Sequence, residues 1–404
     1  MLRKIIVTIP LMMCIFACSQ PDWRNVQDQF AIEKPAPDQP DVNEEVDGNA
    51  KKWAALADSC DYVLIEYFFN KNKGFFWSTP QDIADASAYI YWQQAHAMDV
   101  IIAAFNRIKD TDINLAESYK GYMKLWYENF GHNYNTSRRG EGFHGGFFNQ
   151  YTDDMCWICL TLCHISEALG DDTFMDTARQ VYDSYIITRI ISDEKGSALP
   201  WTNIDGKQNR NSCTNAPGCC LAAKLYAKYG DEKYLADAQM LYDYMVANNV
   251  KSDYRCEEPP LSYTQGAFGE ACRLLYHITS ESSYLYMAYN VVNYAFSSTR
   301  CTAGGILRSE GTSMDQSIFK AVLLPYALNL AKDEALDEFS RNTLKEHILR
   351  NAEALYESLD RTTYPQMYVS YYWGNVWTPS DGAPYASMGA QVSGCSLLEA
   401  AAVL

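Results

Sequence analysis

The sequence predicts an all-α protein closed into an (α/α)6 barrel of six helical hairpins, and three observations lead there. Apolar residues recur with a helical period through most of residues 51–404, with almost no alternating strand pattern. A motif repeats inside the chain: Gly170-Asp171, Phe174, Ala178 and Tyr182-Asp183 return as Gly230-Asp231, Tyr234, Ala238 and Tyr242-Asp243, with a partial echo in Tyr284, Ala288 and Tyr294. Short and long connections alternate, which pairs the helices.

Residues 1–17 read as an export signal and not as fold. Arg3-Lys4 precede an apolar run, residues 5–16, that is too short to span a bilayer, and Ala17-Cys18 before Ser19-Gln20 looks like a bacterial lipobox. Cys14-Ile15-Phe16 departs from the usual leucine three positions ahead of the cysteine. Cleavage before Cys18 and its lipidation are expected. The product would be an outer-membrane-anchored lipoprotein, at the cell surface or the periplasmic face. Residues 18–50, with Pro35, Pro37 and Pro40 among acidic side chains and little apolar content, cannot repay the entropy of ordering and read as a flexible tether.

From residue 51 to 404 a single folded domain is expected, with helices over 51–70, 84–108, 111–129, 153–169, 171–190, 214–229, 231–249, 264–279, 281–298, 314–331, 334–357 and 387–404. Phe174, Ala178, Val181, Tyr182 and Tyr185 share one face of such a helix, which needs a neighbour to cover it. Gly170, Gly230 and Ser280 mark short links, whereas 130–152, 191–213, 250–263, 299–313 and 358–386 are long. Stacked hairpins then place the long loops, and the N-termini of alternate helices, on one face. Six pairs suffice to close a ring, and residues 387–404 lack the polar outer face that would cap an open solenoid.

Composition narrows the function. With 33 basic against 50 acidic side chains the formal charge is −17, and no basic stripe is present to neutralise nucleic-acid phosphates. Aromatic residues make up 14%, including 30 Tyr and 9 Trp, as carbohydrate-stacking proteins often show. Setting Cys14 and Cys18 aside leaves an odd number of cysteines scattered through helical patterns, so no disulfide framework can be read. Cys156, Cys159 and Cys163, one helical face beside His164, read as small buried apolar residues and not as a metal set. Gly140-Glu141-Gly142-Phe143-His144-Gly145 fits GxGxxG, but no strand precedes it, and it reads as a loop. There is no GxSxG, phosphate-binding or kinase signature, so neither cofactor nor metal is expected.

A closed ring would gather Trp92-Gln93-Gln94-Ala95-His96, Asn149-Gln150-Tyr151-Thr152-Asp153-Asp154, Thr214-Asn215, Tyr263-Thr264-Gln265 and Asp315-Gln316 at the loop face. Acids, amides and aromatics suit a sugar, whose hydroxyls need polar partners and whose apolar ring face stacks. Asp153-Asp154 admits two readings. In one, Thr152 or Asp153 is a helix N-cap, with both charges favoured by the dipole. Alternatively, neighbouring residues hold carboxyl groups about 5–6 Å apart, near the spacing of retaining glycosidases. Asp171-Asp172, the same dipeptide on an outer helix, provides a comparison. His96 reads as a packed or rim histidine before it reads as a catalyst.

These segments resemble glycoside hydrolase family 76, the bacterial endo-α-1,6-mannanases. The resemblance spans about residues 92–404 and rests on Tyr91-Trp92-Gln93-Gln94-Ala95-His96-Ala97-Met98-Asp99, Gly145-Gly146-Phe147-Phe148-Asn149, Tyr151-Thr152-Asp153-Asp154-Met155-Cys156-Trp157, Cys213-Thr214-Asn215-Ala216-Pro217-Gly218 and Tyr263-Thr264-Gln265-Gly266-Ala267. It implies an (α/α)6 barrel that cleaves α-1,6-linked mannan backbones with retention, Asp153 as nucleophile and Asp154 as general acid/base. The substrate-binding candidates are Trp92, Gln94, His96, Asn149, Trp157, Thr214, Asn215, Tyr263, Gln265 and Asp315. The expected partner is an α-mannan polysaccharide or oligosaccharide, bound by a monomer that meets the membrane only through its lipid. Cys156-Trp157-Ile158 carries one tryptophan where relatives often have two, and Thr152 stands where an aromatic or acidic residue is common. Two alternatives stay open: a non-catalytic glycan-binding surface lipoprotein, and a mannan transglycosylase like the fungal relatives. An unsaturated uronyl hydrolase would want cations for its substrate carboxylate, and only Lys320, Arg308 and Arg210 lie near these motifs.

Overall fold

The computed structural model describes residues 42–80, 91–132, 144–363, 365–376 and 386–404. Cys18 with the export signal, most of the tether, the first residues of the helix expected from 84, and Gly140 to Phe143 lie outside the described residues. Among the described residues there are twelve α-helices: α1 (Val42–Val63), α2 (Gln93–Ile108), α3 (Ile113–His132), α4 (Thr152–Leu169), α5 (Asp172–Val181), α6 (Ser212–Tyr229), α7 (Glu232–Tyr244), α8 (Ser262–Thr279), α9 (Ser282–Ser297), α10 (Met314–Lys332), α11 (Glu338–Ser358) and α12 (Met388–Ala402).

The Gly-Asp links show why helices stop and restart where they do. Gly170 and Gly230 adopt left-handed backbone, φ 65° and 66°, and their amides bond back to Ser166 and Tyr226 carbonyls at 2.9 and 2.8 Å. Asp171 and Asp231 then cap the next helix by accepting from the Thr173 and Lys233 amides. Each link reverses the chain in two residues.

Packing sorts the helices into two layers. The even-numbered helices lie side by side in the order α2, α4, α6, α8, α10, α12, and α12 returns to α2, so the inner ring closes. The odd-numbered helices pack outside it. The sixth pair is not consecutive: α1, the first in sequence, packs on α12, the last. At this seam Arg107 of α2 meets Asp58 and Asp61 of α1 and Glu399 of α12, with Nη2 at 2.7 Å from Asp58 Oδ1 and from Glu399 Oε1, and 3.9 Å from Asp61 Oδ2.

Two expectations need correction. The first helix begins at Val42, inside the segment read as tether, and beyond Val63 it continues as a π-helical turn, Leu64–Phe68, up to the strand at Phe69. Three two-stranded hairpins also occur: Phe69–Asn70 with Phe75–Phe76, Ile191–Asp193 with Gly196–Ala198, and Thr302–Ala303 with Ile306–Leu307. Strands of two or three residues are too short for alternation to register.

Four buried amides on inner helices clamp the segments that lead to the loop face. Gln94 takes both backbone groups of Phe76, Oε1 accepting at 2.9 Å and Nε2 donating at 2.8 Å. Asn215 does the same to Leu199, Gln265 holds the Cys256 amide and the Tyr254 carbonyl, and Gln391 holds the Val369 amide. Cys156, Cys159 and Cys163 are fully buried in α4, and burial pushes their thiols up, that of Cys163 to about 12.

Candidate active site at the barrel mouth

Asp153, Cys213, Tyr263, Asp315 and Gly389 are each the second residue of their inner helix and Trp92 immediately precedes its own, each standing two residues ahead of Met155, Asn215, Gln265, Ser317, Gln391 and Gln94 respectively. In an α-helix two residues rotate the side chain by roughly 200°, so the earlier set faces the ring centre while the amides face the loops. Trp92 Nε1 donates to Asp315 Oδ1 at 3.0 Å, joined by the Gln93 amide. The glycine at the α12 position lets α12 pack closely on α10: a Cβ on Gly389 would fall 2.1 Å from Ser317 Oγ.

Below the opening the aromatic rings form a continuous platform. Tyr263 stacks on Phe319 with centroids 4.2 Å apart, and Trp92 lies 6.0 to 6.4 Å from Phe319, Tyr263 and Trp157. His96 meets Trp92 and Trp157 edge-on at 5.4 and 5.1 Å. Trp92 is half-buried and Asp315 exposed, whereas Trp157 and His96 are buried beneath them.

The two aspartates sit in the first turn of α4, and neither is its N-cap. That position belongs to Tyr151, in extended backbone and with no side-chain cap, while the Thr152 amide bonds to the Trp201 carbonyl at 2.8 Å. Capping by Thr152 or Asp153 is therefore set aside. Asp171, by contrast, does cap the outer helix α5. Asp153 is 8% exposed and collects three donors: the Asp154 amide on Oδ1 at 3.0 Å, and Trp201 Nε1 at 3.1 Å with the Cys213 thiol at 3.4 Å on Oδ2. Burial pushes the Asp153 carboxyl up to about 7, against the pull of the Cys213, Asp154 and Trp201 donors. Arg189 fixes the approach to this turn, donating to the Asn149 carbonyl at 2.8 Å, the Gln150 carbonyl at 3.0 Å and Thr152 Oγ1 at 3.1 Å.

Residues 52–404 match the sequence family described as glycosyl hydrolase family 76. The chain belongs to that family. No curated protein sequence matches it significantly. Among solved structures it is similar to the α-1,6-mannanase GH76A of Salegentibacter sp. HEL1_6, at 22% identity over 87% of this chain and 99% of that one, TM-score 0.73. An inactive variant of that enzyme, with two consecutive aspartates changed to asparagine, was solved with α-1,6-mannotriose. The Lin0763 protein of Listeria innocua matches at 22% identity over 87% and 97% of the two chains, TM-score 0.71. The family 76 mannosidase Bt3792 of Bacteroides thetaiotaomicron matches at 17% over 87% and 98%, TM-score 0.68. At these identities the likeness establishes the shared all-α fold.

Within this family 76 glycoside hydrolase, the structure brings Trp92, His96, Asp153, Trp157, Tyr263 and Asp315 to one place. Other expected sugar ligands are engaged elsewhere. Gln94, Asn215 and Gln265 are fully buried, with amide oxygen and nitrogen both bonded to backbone. Thr214 is buried too, its hydroxyl donating to Asn211 Oδ1 at 2.7 Å, and Asn149 Oδ1 accepts the Tyr151 amide in the turn before α4. These five serve the scaffold. Trp201, Cys213, Phe319 and Arg189 were missed. Aligning the inner-helix starts would have found Cys213, opposite Asp153 and Tyr263 in register. A lone indole in the polar stretch after Pro200 was the signal for Trp201.

Proposed function

We propose that this glycoside hydrolase is a retaining endo-α-1,6-mannanase, with Asp153 as nucleophile and Asp154 as general acid/base. The observation that carries the reading is the Asp153-Asp154 pair in the first turn of α4, neither of them its N-cap, with Asp153 buried beside the aromatic platform. In the first step Asp154 gives its proton to the glycosidic oxygen while an Asp153 oxygen bonds to the anomeric carbon, releasing the first product. In the second, water attacks that carbon, Asp154 takes its proton, and the Asp153 ester bond breaks. The half-buried Trp92 offers its ring to the sugars, backed by Tyr263 and Phe319, and Asp315 accepts from hydroxyls. The Salegentibacter mannanase, inactive when two consecutive aspartates are replaced, supports this assignment.

Incubating the mature protein with debranched α-1,6-mannan, branched yeast mannan and β-mannan should release mixed α-1,6-manno-oligosaccharides from the first. Binding without release from any polymer would favour a glycan-binding lipoprotein, and longer chains without new reducing ends would favour a transglycosylase.

We further propose that the enzyme works as a monomer held to the outer membrane through lipid on Cys18. Metabolic labelling with palmitate should mark the wild type and be lost in Cys18→Ser; an unlabelled wild type would overturn the anchor.

A further inference from the structure

We propose that Cys213 is a positioning residue: its thiol donates to Asp153 Oδ2 and, with the Trp201 indole, holds the nucleophile in place across the junction of two inner helices. The inference rests on the reading of Asp153 as nucleophile.

The contact spans 60 residues of sequence, from the first turn of α6 to the first turn of α4, with Sγ 3.4 Å from Oδ2. Trp201 reaches the same oxygen from the loop before α6. The Tyr263 side chain of α8 adjoins the same thiol, so three adjacent inner helices meet around the sulfur. Tyr263 belongs to the stacked platform, so platform and carboxylate adjoin the same sulfur.

The groups on this carboxylate are the Asp154 amide of its own helix, the Cys213 thiol and the Trp201 indole, with Tyr263 beyond the thiol; Glu257, in the segment before α8, lies near Cys213 and Tyr263, and Cys156 lies on the same helix with Arg189 behind it. Burial, with Asp153 and Glu257 nearby, holds the Cys213 thiol well above its ordinary range. It stays protonated at working pH and therefore stays a donor. Cys213 is only half-buried, and it lines a cavity of about 560 Å³ with Asn211, Asn248, Lys251, Glu257 and Tyr263, so a reagent can reach it.

Two measurements test the proposal. In the pH profile of kcat/KM, Cys213→Ala should move the acid limb up by about half a pH unit or more and lower kcat several-fold, because a donor that favours the anion is gone. Cys213→Ser, whose hydroxyl can donate, should restore both; a residue needed only for packing would not shift the limb.

The second readout needs no turnover. Asp153→Asn should raise the iodoacetamide alkylation rate of Cys213 at pH 8 by about three- to tenfold, since the anion that keeps the thiol protonated is removed. Peptide mass spectrometry reads Cys213 separately, with half-buried Cys301 as an internal reference expected to stay constant. An unmoved acid limb in Cys213→Ala, or an unchanged alkylation rate in Asp153→Asn, would overturn the role. A wild type inactive on every mannan would sink the functional reading alone, and the alkylation rate would still decide the thiol–carboxylate coupling.

Discussion

Asp153→Asn and Asp154→Asn should each lower kcat/KM on debranched α-1,6-mannan by at least about a thousandfold, for different reasons that kinetics can separate. Without Asp154 no proton reaches the leaving oxygen, so mannosides with a good leaving group remain substrates, and azide restores turnover as mannosyl azide. Without Asp153 no glycosyl-enzyme forms, so azide can react only by direct displacement of an activated leaving group and gives the mannosyl azide of inverted configuration, whereas the azide formed without Asp154 is retained. Wild-type kcat/KM should fall about tenfold per pH unit below about 7, because the attacking carboxylate is being protonated. A retained azide from Asp153→Asn together with an inverted one from Asp154→Asn would reverse the two roles.

The same residue should trade activity for stability. The carboxyl of Asp153 keeps its proton to about pH 7 in the folded protein and to about 3.8 when unfolded. Between these values the folded state holds a proton the unfolded state has lost, so stability drops as pH rises, and above 7 the full cost of a buried anion is present. Asparagine avoids that cost, although its NH2 meets a donor on one side. The expected net gain is about 2 kcal/mol at pH 8, fading towards pH 4. A melting temperature at pH 8 no higher than wild type would contradict it.

Arg107→Met should produce the largest loss of stability, because this guanidinium is the counter-charge at the seam where the ring closes. Asp58, Asp61 and Glu399 surround it, and burial already raises the Asp58 and Asp61 carboxyls, Asp61 well above its ordinary range. Removing the cation leaves buried carboxylates uncompensated, at a cost of about 3–5 kcal/mol. The deficit should be larger at pH 8 than at pH 5, since acid neutralises the carboxylates and relieves their repulsion. Calorimetry at the two pH values checks this, and an equal melting temperature for variant and wild type would mean that packing of α1 on α12 alone closes the ring.

Local signals carried the architecture. The helical period, the Gly170-Asp171 and Gly230-Asp231 links and the alternating loop lengths depend on residues within a turn or two of each other, and they located the helices, the inner layer and the address of Asp153-Asp154. What lay beyond them required distant parts of the chain to meet. Whether an amide serves a sugar or a loop depends on which way its helix faces, so Gln94, Asn215 and Gln265 carried the right chemistry for a role they do not fill. That α1 completes a pair with α12 follows from ring closure, which no local pattern encodes. The environment of Asp153 belongs to the same class: Trp201 and Cys213 arrive from 48 and 60 residues away, and the burial that raises its carboxyl exists only after six helices have closed around it. Sequence alone determined which residues were available to do chemistry, and tertiary structure decided which of them face the substrate, because facing is a property of packed helices and not of single positions.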